Sequence, residues 1–322
     1  MTDRYLTQGK HMFKKTLCGL LLTAACAHAA SANDKITLVL DWYINPDHAP
    51  IMVAEQIGAF KEQGLEVKIV PPSDPALPPR LVAAKQADLA ITYQPQLHFF
   101  ADQGLPLMRV GTLINSPLNT VMTLDKSITS PAGLKGKKIG YSVSGIEQAT
   151  LGTMLNHEKV SLDQVKMVNV NFQLNSALMA GQVDAVIGGY RNIEALELKQ
   201  HGKDPQVFNV EDYGVPAYDE LIIVANRDEV NAPKIKKFLI ALKKGSDYLH
   251  AHPQESWDAF ASAHPDLNNA LNKAAWMKTL PLFARDPAHL DRARYQAYER
   301  FLFDHKLIQK ITPVNNYAME LR

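Results

Sequence analysis

Residues 38–48 read Leu-Val-Leu-Asp-Trp-Tyr-Ile-Asn-Pro-Asp-His, and the fold turns on how this stretch ends. An apolar β-run, Ile36 to Leu40, stops at an acid and two large aromatics. Asn45-Pro46 then breaks the backbone, and apolar periodicity predicts a helix over Ala49–Gln63. Asp41, Trp42 and Tyr43 are thereby placed at the carboxyl end of a strand, where open α/β sheets keep their ligand crevices. A Trp beside a carboxylate gives a flat apolar wall and a hydrogen-bond acceptor, a pairing suited to a small polar heterocycle. The alternative for Trp42 is a core residue at a strand edge.

Outward from this stretch, strands and helices alternate. Leu65–Val70, Asp88–Thr92, Leu107–Leu113 and Thr120–Leu124 read as strands, with helices at Arg80–Lys85 and Gln96–Gln103. Such alternation predicts mainly parallel sheet. A second unit opens near Pro131-Ala132-Gly133-Leu134. It continues through strands at Lys138–Tyr141, Val165–Val170 and Asp184–Ile187, with helices at Glu147–Asn156 and Leu174–Ala180. Strands at Val207–Asn209 and Leu221–Ala225 follow, and from Pro233 the chain is helix after helix. Trp257, Trp276 and Tyr295 fall at helical spacing there and read as core. The expected organisation is residues 33–124 as the first part of one lobe, 125–220 as a second lobe, and 221–322 as a return with C-terminal helices. The chain would cross near Leu124–Ser130 and near Tyr218–Ala225, forming a hinge beside a cleft of the kind that favours ligands.

The N-terminal segment carries export features. Lys14-Lys15 precede an apolar stretch, Leu17 to Ala25, too short to span a bilayer. Ala27-His28-Ala29 and Ala30-Ser31-Ala32 both offer small-x-small cleavage sites, and a cut after Ala32 makes residues 1–32 a signal peptide and the mature chain periplasmic. Residues 1–11, ahead of Met12, have little signal character. Both cysteines, Cys18 and Cys26, lie in this segment. A mature chain without thiols has no disulfide, no Cys metal site and no Cys nucleophile. The rival reading makes Cys26 a lipidated first residue, although in Leu22-Thr23-Ala24-Ala25-Cys26 the branched residue sits one place too far upstream. Loss of Arg4, Lys10, Lys14, Lys15 and Asp3 takes the net charge of +1 to −2, which argues against nucleic acid. No later segment is apolar enough to cross a membrane, so no span is expected in the mature chain.

Several pieces together resemble a known family. They are Leu40-Asp41-Trp42-Tyr43 with Asn45 to His48, Gly58-Ala59-Phe60 through Gly64-Leu65, and Gln86-Ala87-Asp88-Leu89-Ala90. Leu134-Lys135-Gly136-Lys137-Lys138-Ile139-Gly140-Tyr141, Gly188-Gly189-Tyr190 with Glu194, and Tyr213-Gly214-Val215-Pro216-Ala217-Tyr218-Asp219-Glu220 complete the set. From residue 35 to 227 the chain resembles the type II periplasmic substrate-binding proteins of ABC importers. Within them it is most similar to the thiamine-pyrimidine group, ThiY-like binders and yeast-type hydroxymethylpyrimidine phosphate synthases. The resemblance implies an α/β two-lobe fold, an aminopyrimidine of the formylaminopyrimidine type as cargo, and an ABC permease with its ATPase as partner.

The synthases are enzymes on this fold, and their chemistry can be checked residue by residue. The resemblance puts their pyridoxal-phosphate lysine at about Thr92 and their consumed histidine at about Gln96. Without a lysine amine no Schiff base forms. Their cysteine-rich iron run falls where this chain has Tyr213 to Glu220. Neither catalysis nor a cofactor is therefore expected. The eleven histidines show no metal-ligand spacing either.

For an aminopyrimidine, Trp42 and Tyr190 are the expected walls, one from each lobe. Asp41 and Glu194 are the expected acceptors. Glu194 follows Tyr190 by four residues and would share its helix face, although a solvated face explains the same spacing. Asp41 could equally cap the following turn. His48 is a helix cap or a ligand contact. Tyr93 and Gln94 follow a strand, and the turn Ser142 to Gly145, Ser144 among its residues, offers backbone N–H groups to an anion or carbonyl. Tyr218 and Glu220 sit at the second crossing, where hinge packing explains them equally well. Alkanesulfonates stand as an alternative ligand class.

Overall fold

The computed structural model describes residues 33–321; the signal-peptide and Cys26 readings lie outside them. Ten strands form two sheets: β1 Asp34–Val39, β2 Leu65–Val70, β3 Leu89–Thr92, β4 Leu107–Ile114, β5 Asn119–Thr123, β6 Lys138–Tyr141, β7 Lys166–Asn169, β8 Ala185–Tyr190, β9 Gln206–Asn209 and β10 Leu221–Asn226. One sheet runs β2-β1-β3-β10-β4 and the other β7-β6-β8-β5-β9. In each, three strands are parallel, and the fourth, antiparallel to both its neighbours, follows a crossing from the other sheet. The fold is α/β with two lobes. Helices and sheets bury near-continuous apolar runs, as in the fully buried β4 and β10.

The first crossing occupies residues 115–118, earlier than the expected Leu124–Ser130. The segment 119–123 pairs with β8 and β9 and so belongs to the second sheet. Its β-branched and apolar residues, Thr120 to Thr123, mark a strand but not which sheet it joins. The second crossing leads from β9 through a 3-10 turn at Val210–Tyr213 to β10.

The helix expected over Ala49–Gln63 is two pieces, Ala49–Gln56 and Ala59–Glu62, parted by Gly58 at φ +74°. The long helix Pro233–Ala251 packs on the first piece. Gly245 permits the approach, since a Cβ there would lie 2.6 Å from the Pro50 carbonyl oxygen. Behind them Trp257, Phe260 and Trp276 form a buried aromatic cluster, with the Phe260 and Trp276 centroids 5.0 Å apart. The helix Arg292–Asp304 reaches the second crossing, where Asp219 accepts from Thr112 Oγ1 (2.9 Å), Arg294 Nη1 (2.6 Å) and Tyr295 OH (3.2 Å). Among the described residues no helix is long and apolar enough to cross a membrane.

Candidate functional site

Between the carboxyl ends of β1, β6 and β8 lies a pocket that opens on the cleft, a position that favours small-molecule sites. Asp41, Trp42, His48, Tyr93, Tyr190, Glu194 and Glu220 all line it. Gln94, Ser144 and Tyr218 do not, and each has a structural cause. The buried Gln94 side chain accepts from Asp219 N (2.8 Å) and pins the second crossing. Ser144 is exposed at the tip of its turn. Tyr218 donates to Glu220 Oε2 from behind (3.0 Å).

The β1 end supplies a side-chain network. Asp41 is buried; its Oδ1 lies 2.9 Å from His48 Nε2, and its Oδ2 accepts from Tyr93 OH at 3.1 Å. The Asn45 N–H donates to His48 Nδ1 (3.3 Å), so Nε2 carries the proton and donates to Asp41. Asn45 in turn caps the Pro46–His48 turn through the Asp47 N–H. Asp41 thus orients His48 and Tyr93, a different role from the free acceptor expected of it. Trp42 is half-buried, edge-on to Phe172 of the second lobe at 4.7 Å, and Tyr43 also packs on Phe172, at 4.6 Å. Trp42 therefore spans the cleft rim as well as lining the cavity.

The second lobe contributes acids held by backbone. Glu194 is the first residue of a helix, and Tyr190 the last of β8. A turn, rather than a shared helix face, joins them: Glu194 Oε2 accepts the Tyr190 N–H at 2.7 Å. Glu147 Oε2 accepts from the N–H groups of Ser142 (2.6 Å) and Val143 (2.8 Å). Glu220 Oε2 accepts from Leu118 N (2.5 Å) and Asn119 N (2.9 Å), and its Oε1 from Tyr190 OH at 3.3 Å. Burial pushes the Glu147 and Glu194 carboxyls up to about 8, Glu220 up to about 7 and Asp47 up to about 6. Backbone N–H bonds resist the shift at all three glutamates.

Asp47, Asn119, Ser142 and Glu147 also line the cavity. Glu147 reads in sequence as ordinary first-turn chemistry of a helix, and Asp47 as part of a turn. Asp47 Oδ1 accepts from Asn192 Nδ2 (2.7 Å) and Thr279 Oγ1 (2.8 Å), while its buried Oδ2 has no partner. Five carboxylates thus face one space, and among the described residues neither lysine nor arginine lines it. Such a wall accepts hydrogen bonds and, as its acids ionise, disfavours anions. No metal-holding group of His, Cys, Asp or Glu occurs among the described residues.

The model of proteins described as NMT1/THI5 like matches residues 45–256. The chain belongs to the NMT1/THI5-like family. It is 50% identical over 305 residues to a Haemophilus influenzae protein whose provisional name assigns it to thiamine biosynthesis, covering 94% of this chain and 96% of that one. It is 34% identical to the formylaminopyrimidine-binding protein of Halalkalibacterium halodurans, over 78% of each. Family members named as 4-amino-5-hydroxymethyl-2-methylpyrimidine phosphate synthases match at lower identity, 28% for one from Uromyces fabae over 81% of this chain and 80% of its own. Among solved structures, an alkanesulfonate-binding protein of Xanthomonas axonopodis pv. citri superposes with TM-score 0.71 at 17% identity, covering 90% of this chain and 99% of that one. The periplasmic aliphatic sulphonate-binding protein of Escherichia coli gives 0.65 at 14%, covering 89% and 92%. At these identities the likeness shows the fold, that of periplasmic binding proteins, and no ligand.

Proposed function

We propose that this NMT1/THI5-like protein is the solute-binding component of an ABC importer. It closes two lobes on a thiamine-related aminopyrimidine of the formylaminopyrimidine type. The observation that carries the reading is the acid-lined cavity with Trp42 from one lobe and Tyr190 from the other. A 4-aminopyrimidine offers two π faces and an amino donor, which match aromatic walls and accepting carboxylates. The name of the Halalkalibacterium halodurans relative supports the same cargo class. In this assignment Trp42 and Tyr190 grip the ring, Glu194 accepts from the exocyclic amino group, and Glu220 steadies the Tyr190 hydroxyl. Asp41, His48 and Tyr93 hold the first-lobe rim. Closure stabilised by the ligand then presents the loaded form to a permease and its ATPase in the periplasm.

The synthase alternative meets an obstacle at the sites where its chemistry would sit. Thr92 and Gln96 are buried and hydrogen-bonded to each other, and neither provides an amine for a Schiff base. The sulfonate alternative meets the carboxylate wall. Titration calorimetry with a formylaminopyrimidine, a hydroxymethyl aminopyrimidine and an alkanesulfonate decides among them. The reading expects both pyrimidines to bind and the sulfonate not to. Sulfonate binding without pyrimidine binding would overturn it.

A further inference from the structure

The turn between β6 and the helix Ile146–His157 has the makings of an anion site. Backbone N–H groups converge there ahead of a twelve-residue helix, and such positions attract phosphate or sulfonate oxygens. In this chain the position is filled from within. Glu147 Oε2 takes the N–H groups of Ser142 and Val143 at 2.6 and 2.8 Å, and Gln148 Oε1 takes that of Gly145 at 2.5 Å. The other Glu147 oxygen lies against the end of β8. Gly188 there has φ +99°, and a Cβ on it would sit 1.9 Å from Glu147 Oε1, so the missing side chain is what accommodates the carboxyl group. Glu147 is buried and lines the cavity.

We propose that Glu147 is a specificity-determining residue, a built-in occupant of the turn's anion site that closes the cavity to ligands bearing a phosphate monoester or sulfonate. The inference rests on the aminopyrimidine reading and sharpens it: the cargo is the unphosphorylated compound. An anionic ligand would have to displace a carboxyl group already hydrogen-bonded to two N–H donors. It would do so beside Glu220, which repels negative charge in the same space. Both protonation states of Glu147 keep the N–H groups filled, because either carboxyl form leaves an accepting oxygen.

The test compares, at pH 9 where the Glu147 carboxyl is ionised, a neutral hydroxymethyl aminopyrimidine with its phosphate monoester on wild type, Glu147→Ser and Glu147→Gln. Wild type is expected to prefer the neutral compound by on the order of 100-fold. Glu147→Ser, which frees the N–H groups and the space, should shrink that preference about ten-fold by gaining the phosphate. Glu147→Gln keeps an occupant without charge and should fall between the two. A preference unchanged in a cooperatively melting Glu147→Ser variant would overturn the proposal, as would wild type binding both compounds equally. If Glu147→Ser does not fold, an unchanged preference in Glu147→Gln does the same. Inorganic phosphate separates this failure from failure of the pyrimidine reading. If wild type binds neither pyrimidine, thermal protection by phosphate in Glu147→Ser but not in wild type still supports the occupant role. Protection in both, or in neither, sinks it.

Discussion

The two lobes bring acids to one cavity by opposite means. At the β1 end, Asp41 is held by side chains, His48 on one oxygen and Tyr93 on the other. At the β6 and β8 ends, Glu147 and Glu194 are each held by backbone N–H groups on a single oxygen. A carboxylate with both oxygens engaged serves as a brace for its neighbours. Glu194, anchored through Oε2, is fixed in orientation and can offer its other oxygen to a ligand, whereas the second oxygen of Glu147 packs against Gly188. On the proposed reading, the first lobe serves as a rigid rim and the second reads the ligand.

The largest effect expected from this division is on pH. The folded-state pKa values of Glu147, Glu194, Glu220 and Asp47 are raised to between about 6 and about 8. The folded, ligand-free protein thus binds more protons than the unfolded chain across that range, and stability falls as pH rises. The contribution is fully present below the ordinary carboxylate pKa and lost as pH climbs through 6 to 8. The melting temperature without ligand should drop on the order of 5 °C between pH 5.5 and 8.5. Pairing Glu147→Gln with Glu194→Gln should flatten the slope, since two of the four groups are then neutral throughout. A ligand-free melting temperature that rises over the interval would break the picture of acids buried under strain.

Next comes Trp42, on the rim side. Trp42→Ala removes a wall and the contact with Phe172, and an aromatic anchor of that kind contributes about 2 kcal/mol or more, roughly 30-fold in Kd. Ligand-dependent fluorescence should vanish in Trp42→Phe, because Trp257 and Trp276 are buried within the C-terminal helices. A signal that survives that change would show that the first lobe does not touch the ligand.

Much of this was legible in the chain, and the gaps have physical causes. Strand ends announce themselves where an apolar run meets Asp41-Trp42-Tyr43 or Gly188-Gly189-Tyr190, so Asp41, Trp42 and Tyr190 fall at the cavity while Tyr43 stays exposed on its rim. Roles were harder to read. Asp41 loses its free-acceptor role to Tyr93, 52 residues away in sequence, and no local spacing encodes that hydrogen bond. Glu147 stayed hidden because a glutamate in a helix's first turn is ordinary dipole chemistry, and only the packing beneath Gly188 shows it facing the ligand space. Ser144 and Gln94 illustrate the reverse. Polar residues beside a strand end were placed at the site, but one points to solvent and the other ties down the crossing. The first crossing lies earlier than expected because β5 is buried on both faces and its short run does not show which sheet it joins.

A smaller effect is expected at Glu194, on the reading side. At pH 9, where the Glu194 carboxyl is ionised, Glu194→Gln keeps shape but replaces a charge-assisted hydrogen bond, roughly 1.5–3 kcal/mol, with a neutral one of about 1. Binding of the aminopyrimidine should weaken on the order of ten-fold. A hydroxypyrimidine analogue lacking that amino donor should lose much less, and calorimetry on both ligands and both proteins closes a four-corner cycle. Equal losses would mean that Glu194 braces Tyr190 and reads nothing, erasing the contrast between the lobes.

The smallest effect belongs to a polar contact between the lobes that is built around an acid. Asn192, just past β8, donates to Asp47 Oδ1 at 2.7 Å and approaches Thr279 Oγ1 at 2.6 Å, while Thr279 donates to the same Asp47 oxygen. Asp47 and Thr279 flank the first lobe, so Asn192 is the second lobe's hand on the rim. Its bonds bridge the two lobes, so opening the cleft is expected to break them, and they would add to the closed state whatever the ligand is. A buried hydrogen bond contributes about 1 kcal/mol, so Asn192→Ala should shift the open–closed balance by roughly five-fold. The change should appear as faster release with little change in association, because closure follows encounter. It should also weaken the aminopyrimidine and the hydroxypyrimidine analogue by the same factor, unlike Glu194→Gln. Stopped-flow release rates for both ligands provide the measurement. A loss confined to one ligand would place Asn192 among the residues that read the ring and move the boundary between rim and reader to the near side of the cleft.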